Sequence, residues 1–418
     1  MITTLDLRSC VDLRDVVHRA VQALVEGHVV GLPTESTYLW AASGLAPAAV
    51  ETLRRIDAAS DPTRRSSQRI TSPTLCLPSC EAVEDYVCHW RPMTRRLATR
   101  MWPGPLVLSM RCDRGCSAAS QLPPSIRKWV WGDDDSIAFR VIEHRVVADV
   151  HRLLSAPLVA IEAVGERTSA TTAGELIESA ADVATSEAVV DAVPAGRVVL
   201  VLDDGPTRYR GGATVVHADD RSMRTVRPGN YDANAMKRSA RPLVAVVCTG
   251  NTCRSPMAEV MLRDRIIQKL GDRVDVVSAG LAAGAGMPAS PQGVEVMTDR
   301  GLDLANHRSR PLDESIINRA DLVLTLTRAH RAAILTAWPT MAERVHTLRH
   351  DGGDVADPVG APIDVYAACA DQIEAELDAW VGHIETLLPS RSDGVATAAT
   401  GNDEPSVNGT DPESDDGG

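Results

Sequence analysis

The chain has 418 residues, more than one ordinary hydrophobic core organises, so two domains are expected. A formal net charge of -13 argues against a general binder of nucleic acid or anionic membrane, and leaves only a local basic cleft for such partners. Nine cysteines without a signal-peptide core at the N-terminus read as reduced thiols of a cytoplasmic protein rather than a disulfide framework. No window approaches the roughly 18 apolar residues of a membrane span, so no membrane partner is expected.

In chain order, residues 14–27 read as an amphipathic helix ending at Gly27, and HVVGLP (28–33) as a buried strand. Residues 46–57 predict a second helix, opened by Pro47, with Val50, Leu53 and Ile56 at helical spacing. Apolar runs at 74–77, 105–110, 137–142, 157–161, 198–202 and 213–216 predict strands, interleaved with helical stretches such as 143–154. That alternation is an α/β pattern.

Residues 228–241 are polar and turn-rich, and the domain boundary belongs there. The resulting division is a first domain over 1–230, a linker over 231–241, a second domain over 242–389 and a tail over 390–418. In the second domain LVAVVC (243–248) is a strand and SPMAEVMLRDRIIQKL (255–270) an amphipathic helix. DVVSAG, ADLVLTLT and RVHTL are further strands, and a last helix covers 364–388. Such alternation predicts a doubly wound parallel sheet with its ligand site at the strand C-termini. The tail is acidic and poor in large apolar side chains, so it is expected to be disordered.

The stretch CTGNTCRS (248–255) joins that strand to that helix. A helix N-terminus supplies free N–H groups and about half a positive charge, which favours an anion. Gly250 and Asn251 tolerate a positive φ that a tight cradle needs. Arg254 offers a planar fork to two phosphate oxygens. Cys248 on the cradle floor would feel the amides, the helix end and Arg254, all favouring the nucleophilic thiolate. Ser255 could donate a hydrogen bond to that sulfur. Asp357, between Gly352–Gly353 and Pro358–Gly360, sits in a loop able to deliver a proton to a leaving group. Cys253 is equally a packing residue or a redox neighbour of Cys248.

Residues 242–388 resemble the low-molecular-weight protein tyrosine phosphatase family. The likeness lies in VCTGNTCRSP (247–256), SAGL (278–281), GLDLANHRSRPL (301–312), ADLVLTLT (320–327) and DVADPVGAPIDVY (354–366). The resemblance implies Cys248 as nucleophile, Arg254 as phosphate ligand and Asp357 as general acid. Thr249, Gly250, Asn251, Thr252, Cys253 and Ser255 complete the phosphate loop, no cofactor or metal is needed, and the partner is a phosphorylated protein. Thr252 matches the bacterial protein arginine phosphatases within the family, where tyrosine phosphatases more often carry a bulkier aliphatic residue. Val359 departs from both subgroups, which often place a stacking aromatic after Asp-Pro. Arsenate reductases share the loop but relay oxidation through later cysteines, and here only Cys369 follows.

The first half, from about 10 to 230, resembles YrdC-like proteins, which include L-threonylcarbamoyl-adenylate synthases of tRNA modification. The opening motif is GHVVGLPTESTYLWAA (27–42), followed in order by WPGPLVL (102–108), IAFRV (137–141), TSATTAGEL (168–176), VLDDGP (201–206), ATVV (213–216) and RTVRPG (224–229). Thr34, Tyr38, Arg140 and Arg227 survive as ligand-site residues. The family's Lys-x-Arg pair does not, since the first lysine is Lys128; Arg64, Arg65 and Arg69 lie near its place. Where the family has Ser-Ala-Asn, this chain has Glu162, Ala163 and Val164, and a glutamate there would repel ATP phosphates. Leu39 and Ala213 replace a usual glycine and serine. The expectation is a degenerate YrdC-like domain that has lost synthesis and keeps a nucleotide or RNA ligand at most; the alternative is a bifunctional synthase-phosphatase. Cys76-x3-Cys80, Cys88-His89 and Cys112-x3-Cys116 permit zinc by spacing, but nothing else there resembles a zinc ribbon, and scattered thiols are expected.

Overall fold

The computed structural model describes residues 2–60, 73–88, 90–162, 171–173, 175–176, 198–219 and 222–388. Arg64, Arg65, Arg69, His89, Ala163, Val164 and the 390–418 tail lie outside the described residues.

The first half is built on a mixed sheet of ten strands, in the order β1-β8-β2-β3-β7-β4-β6-β5-β9-β10. The strands are β1 (Thr3–Asp6), β2 (Val29–Pro33), β3 (Tyr38–Ser43), β4 (Thr74–Cys76), β5 (Leu106–Arg111), β6 (Ser136–Arg140), β7 (Leu158–Glu162), β8 (Val198–Asp203), β9 (Thr214–Ala218) and β10 (Met223–Arg227). Strands β2 and β3 are buried at every position, so neither shows the alternation of a half-exposed strand. Helices Leu13–Val25 and Arg145–Leu153 cover one face, burying Val16, Ala20, Leu24, Val147 and Val150 against Val30, Leu32 and Leu200. Helices Pro47–Ser60, Pro92–Met101 and Pro124–Val130 cover the other, over Tyr38, Trp40, Leu75 and Phe139.

The second half has four parallel strands in the order β12-β11-β13-β14, namely β11 (Leu243–Cys248), β12 (Asp275–Gly280), β13 (Leu322–Thr325) and β14 (Val345–Thr347). Helices Arg254–Leu270, Pro291–Asp299 and Ile363–Glu385 pack on one face, and Glu314–Arg319 and Arg328–Ala337 on the other. This is the expected doubly wound sheet, with β11 central and ending at Cys248.

Two expectations need correcting. The polar stretch read as a linker carries a helix, Ala233–Ala240, capped by Asp232 accepting from Ala235 N at 2.6 Å, with Met236 buried beneath it. Its polar face misled because its few apolar groups dock on the helix Pro92–Met101. Secondly, Cys88 and Cys116 form a disulfide, with Cα atoms 6.1 Å apart. A compartment argument from cysteine count cannot see that the two loops meet. Cys10, Cys76, Cys80, Cys112, Cys248, Cys253 and Cys369 are free thiols.

The two halves meet at the N-terminal edge of the small sheet. Arg96 donates from Nε to Ala240 O at 2.8 Å, from Nη1 to Asp321 Oδ1 at 3.1 Å and from Nη2 to Leu387 O at 3.2 Å. Arg100 donates to Ser239 O, Arg241 O and Arg319 O. Asp321 also accepts from Leu243 N at 2.9 Å, so one buried carboxylate ties both halves and the start of β11 together. Burial works against the charge on Arg96 and Arg100, and the Asp321 carboxylate opposes that loss.

Candidate active site

The loop between β11 and the helix Arg254–Leu270 turns on Asn251, whose φ is +56°, a region that Asn tolerates better than most residues. Gly250 is not in that region, contrary to expectation, and a Cβ there would meet only Thr252 Oγ1 at 3.6 Å. The conformational demand therefore falls on Asn251 alone.

Asn251 is wholly buried and its groups bind on several sides. Its Nδ2 donates to Ser255 Oγ at 3.0 Å and to Ser278 Oγ at 2.8 Å, its Oδ1 accepts from Arg310 N at 2.9 Å, and its carbonyl lies 2.8 Å from His307 Nε2. Ser278 in turn donates to Glu259 Oε2 at 2.5 Å, and Glu259 pairs with Arg263. Leu281 N, Ala282 N and Ser290 N donate to the carbonyls of Cys248, Thr249 and Thr252. Gly280 is required by close approach, since a Cβ there would lie 2.5 Å from Thr249 O.

These bonds fix Cys248 at the loop's floor, only 3 % exposed. Its Sγ accepts from Asn251 N at 3.3 Å and lies 2.9 Å from Ser255 Oγ. Arg254 begins the helix, with its side chain 7 % exposed. It donates from Nη1 to Val355 O at 3.2 Å and from Nη2 to Asp357 Oδ2 at 2.5 Å. The loop of Asp357 is thus drawn onto the phosphate-loop arginine. Cys248 thus contacts Ser255 on the loop floor, and Arg254, which follows the loop, pairs with Asp357.

Thr249 Oγ1 lies 2.8 Å from His330 Nε2, and burial followed by the Arg254 charge holds that imidazole below its usual range. Cys253 Sγ lies 3.6 Å from Thr252 Oγ1 and 3.4 Å from Tyr366 OH, a partner that spacing did not point to. Cys369 is buried, and its thiol is pushed up to about 12 by that burial. Val359 is 67 % exposed beside Asp357, so no ring covers the acid on that side. The roles of Ser278 and Glu259 escaped the sequence reading. Ser278 and its SAGL motif were visible, but not that β12 runs beside β11 and delivers them to Asn251.

In the first half, Arg140 is buried and donates from Nη2 to Thr34 Oγ1 at 3.1 Å, Glu35 Oε1 at 2.8 Å and Ser36 Oγ at 2.8 Å. Thr34 also accepts from Ser36 N and Thr37 N and donates to Thr37 O. Tyr38 is buried and donates to Gly205 O at 2.7 Å, and burial pushes its phenol up. Arg227 Nη2 lies 2.6 Å from Glu162 Oε2, and Arg140 Nη1 lies 3.8 Å from Glu162 Oε1. Arg140 and Arg227 therefore pair with carboxylates of the chain itself, Thr34 accepts from Arg140, and Tyr38 holds the β8 loop. No group of three or more metal-ligating side chains occurs among the described residues, and no helix among them is long and apolar enough to cross a membrane.

The family described as "Low molecular weight phosphotyrosine protein phosphatase" matches residues 243–389, and the family described as "Telomere recombination" (Sua5, YciO and YrdC) matches residues 22–229. A probable low molecular weight protein-tyrosine-phosphatase EpsP of Ralstonia nicotianae is 37% identical over 145 residues, 34% of this chain and 97% of that protein. A protein-arginine-phosphatase of Bacillus subtilis is 40% identical over 135 residues, 31% of this chain and 89% of that protein. An arsenate reductase of Bacillus cereus is 37% identical over 127 residues, 30% of this chain and 84% of that protein.

Proposed function

The chain belongs, through residues 243–389, to the low-molecular-weight phosphatase family, and on that premise we propose that it hydrolyses phosphoarginine or phosphotyrosine in proteins through a cysteinyl-phosphate intermediate. The observation that supports this reading is that one loop carries both the Cys248–Ser255 contact and the Arg254 that pairs with Asp357.

Cys248 sulfur attacks phosphorus while Arg254 and the free N–H groups at the helix start hold the phosphoryl oxygens. The bond from phosphorus to the leaving oxygen or nitrogen breaks, and its electron pair takes the proton of the Asp357 carboxylic acid. Water then attacks phosphorus and gives a proton to the Asp357 carboxylate. The sulfur–phosphorus bond breaks, inorganic phosphate forms and the thiolate returns, stabilised as it leaves by Ser255 Oγ. An incoming phosphoryl group would replace Asp357 as the partner of Arg254 Nη2, which frees the carboxyl to face the leaving atom.

Between the two substrates Thr252 favours phosphoarginine, because its hydroxyl offers a guanidinium a polar partner and its β-branch narrows the cleft. Val359 gives neither an aromatic ring nor a guanidinium plane a stacking wall. Rates on matched phosphoarginine and phosphotyrosine peptides, for wild type and Thr252→Ile, test this. A selective loss on phosphoarginine is expected, and an equal effect on both would contradict the assignment. Arsenate reduction is disfavoured, since the downstream thiol of Cys369 is buried and held as thiol.

The N-terminal domain is proposed to have lost threonylcarbamoyl-adenylate synthesis while keeping its core, and to serve as a ligand- or RNA-binding partner of the phosphatase. Glu162 at the arginines supports this. Release of pyrophosphate from ATP, threonine and bicarbonate by the full chain would contradict it and establish the bifunctional alternative.

A further inference from the structure

In the second domain β12 is an edge strand, paired along its length with β11 alone. Its outer side is closed at the C-terminal end, where Gly280 N donates to Arg310 O and Leu312 N donates to Gly280 O. Before that end, a groove follows Val274, Asp275, Val276 and Val277. Asp275 N turns inward to Pro242 O and Gly280 N turns outward, so by strand alternation the Val276 amide faces the groove. That amide has no partner among the described residues, and an open edge of this kind is normally covered. Four arginines line the groove. Arg241 pairs with Asp272 and Asp275, and Arg263 with Glu259 and Val276 O. The Asp313 carboxylate turns to the start of its own helix, accepting from Ser315 Oγ and Ile316 N. The exposed guanidinium groups of Arg310 and Arg319 have no partner among the described residues.

The groove begins where the described chain ends. Leu387 O accepts from Arg96 Nη2, and Arg96 and the neighbouring Arg100 also hold Asp321, Arg241 O and Arg319 O. Arg241 and Arg319 both line the groove, so residues 389–418 leave the fold beside it. That stretch carries seven carboxylate side chains against one arginine, Arg391. An open edge flanked by unpaired guanidinium groups and an acidic segment rooted at its end are complementary in charge. We propose that the acidic segment 393–416 of this chain docks in the groove along β12, with its carboxylates on Arg310 and Arg319 and its backbone against the open edge. Each such ion pair is weak at a surface. A tethered segment nevertheless meets its site at an effective concentration of the order of 1 mM, so an affinity of that order gives half occupancy. Arg310 links the groove to the phosphate loop, since its N–H holds Asn251 Oδ1 at 2.9 Å. The docking is independent of the chemistry at Cys248.

The test is hydrogen–deuterium exchange of the full chain, read at peptides covering 274–278. Wild type is compared with a variant carrying Asp→Asn or Glu→Gln at the seven acidic positions of 393–416, all of them outside the described residues. With the segment docked half the time or more, the amide variant should exchange at least about twofold faster than wild type at 274–278. Salt at 1 M should speed exchange in wild type likewise, because the screening length falls to about 3 Å. Arg310→Glu together with Arg319→Glu should also release the protection, and combining them with the amide variant should add nothing. Equal exchange in wild type and the amide variant, or protection that survives both arginine reversals, would overturn the proposal. Protection that grows with protein concentration would assign the groove to a second copy of the chain, and would overturn it as well.

Discussion

Asn251 has the most exacting position among single residues, because one side chain organises the sulfur, the serine and two flanking strands' loops. Asn251→Ala keeps the fold but deletes bonds to Ser255, Ser278 and Arg310 N, and places alanine at a positive φ. With about 1 kcal/mol per lost bond, or about 3 kcal/mol in all, kcat/KM on a generic aryl phosphate should fall by roughly a hundredfold, with little change in far-UV dichroism. A variant with wild-type kcat/KM would show that the network does not position the loop. Cys248→Ser should abolish turnover, and Asp357→Asn should slow poor leaving groups far more than good ones, read from rates across a series of aryl phosphates. A second residue-scale expectation concerns His151, buried on the helix Arg145–Leu153 with its imidazole lowered to about 4 by that burial. A base whose folded value lies below its unfolded value contributes fully above about 6.5, and the contribution is lost as pH falls toward 4. The loss is about 3 kcal/mol. Urea unfolding at pH 7 and pH 4.5 should show it, and His151→Leu should reduce the pH dependence; an unchanged slope would contradict this account.

Among the elements, β12 governs the phosphate loop from the side. Gly280→Ala would push a methyl onto Thr249 O, so activity should drop at least about tenfold while the thermal midpoint moves by only a few degrees. Retained activity in that variant would mean that the loop yields freely. Element-scale reading also shows what a linear sequence can carry. The β11–loop–helix unit was legible because its residues are contiguous and each has a chemical reason to be there. Strands β1, β3 and β10 and the helices Pro92–Met101 and Pro124–Val130 were not read. β3 is buried on both faces and follows a polar turn, and β10 is short and rich in arginine. The second layer of the site, Ser278, Glu259, His330 and Tyr366, is assembled by sheet order and helix packing, which residue spacing does not encode.

At the scale of the whole molecule, the two halves share a buried arginine–aspartate junction far along the sheet from Cys248, since Asp321 precedes β13 and Cys248 ends β11. Asp321→Ala would leave Arg96 and Arg100 buried without their carboxylate, a change that costs about 3–5 kcal/mol in buried pairs. Calorimetry of the full chain should show a lower midpoint and resolve two transitions where wild type shows coupled unfolding. An unchanged single transition would mean that the halves are tied elsewhere. The same junction means that the helix Ala233–Ala240 belongs to the packed body rather than to a free tether. Among the described residues, the contact between the halves runs through these side chains.

The most direct test of the central claim is acid-quenched peptide mass spectrometry of Asp357→Ala after mixing with an aryl phosphate that leaves readily. Phosphate should be found on the peptide containing Cys248, and lost from it when Cys248→Ser is added. Turnover with no phosphate on that cysteine, or phosphate on another residue, would contradict the account.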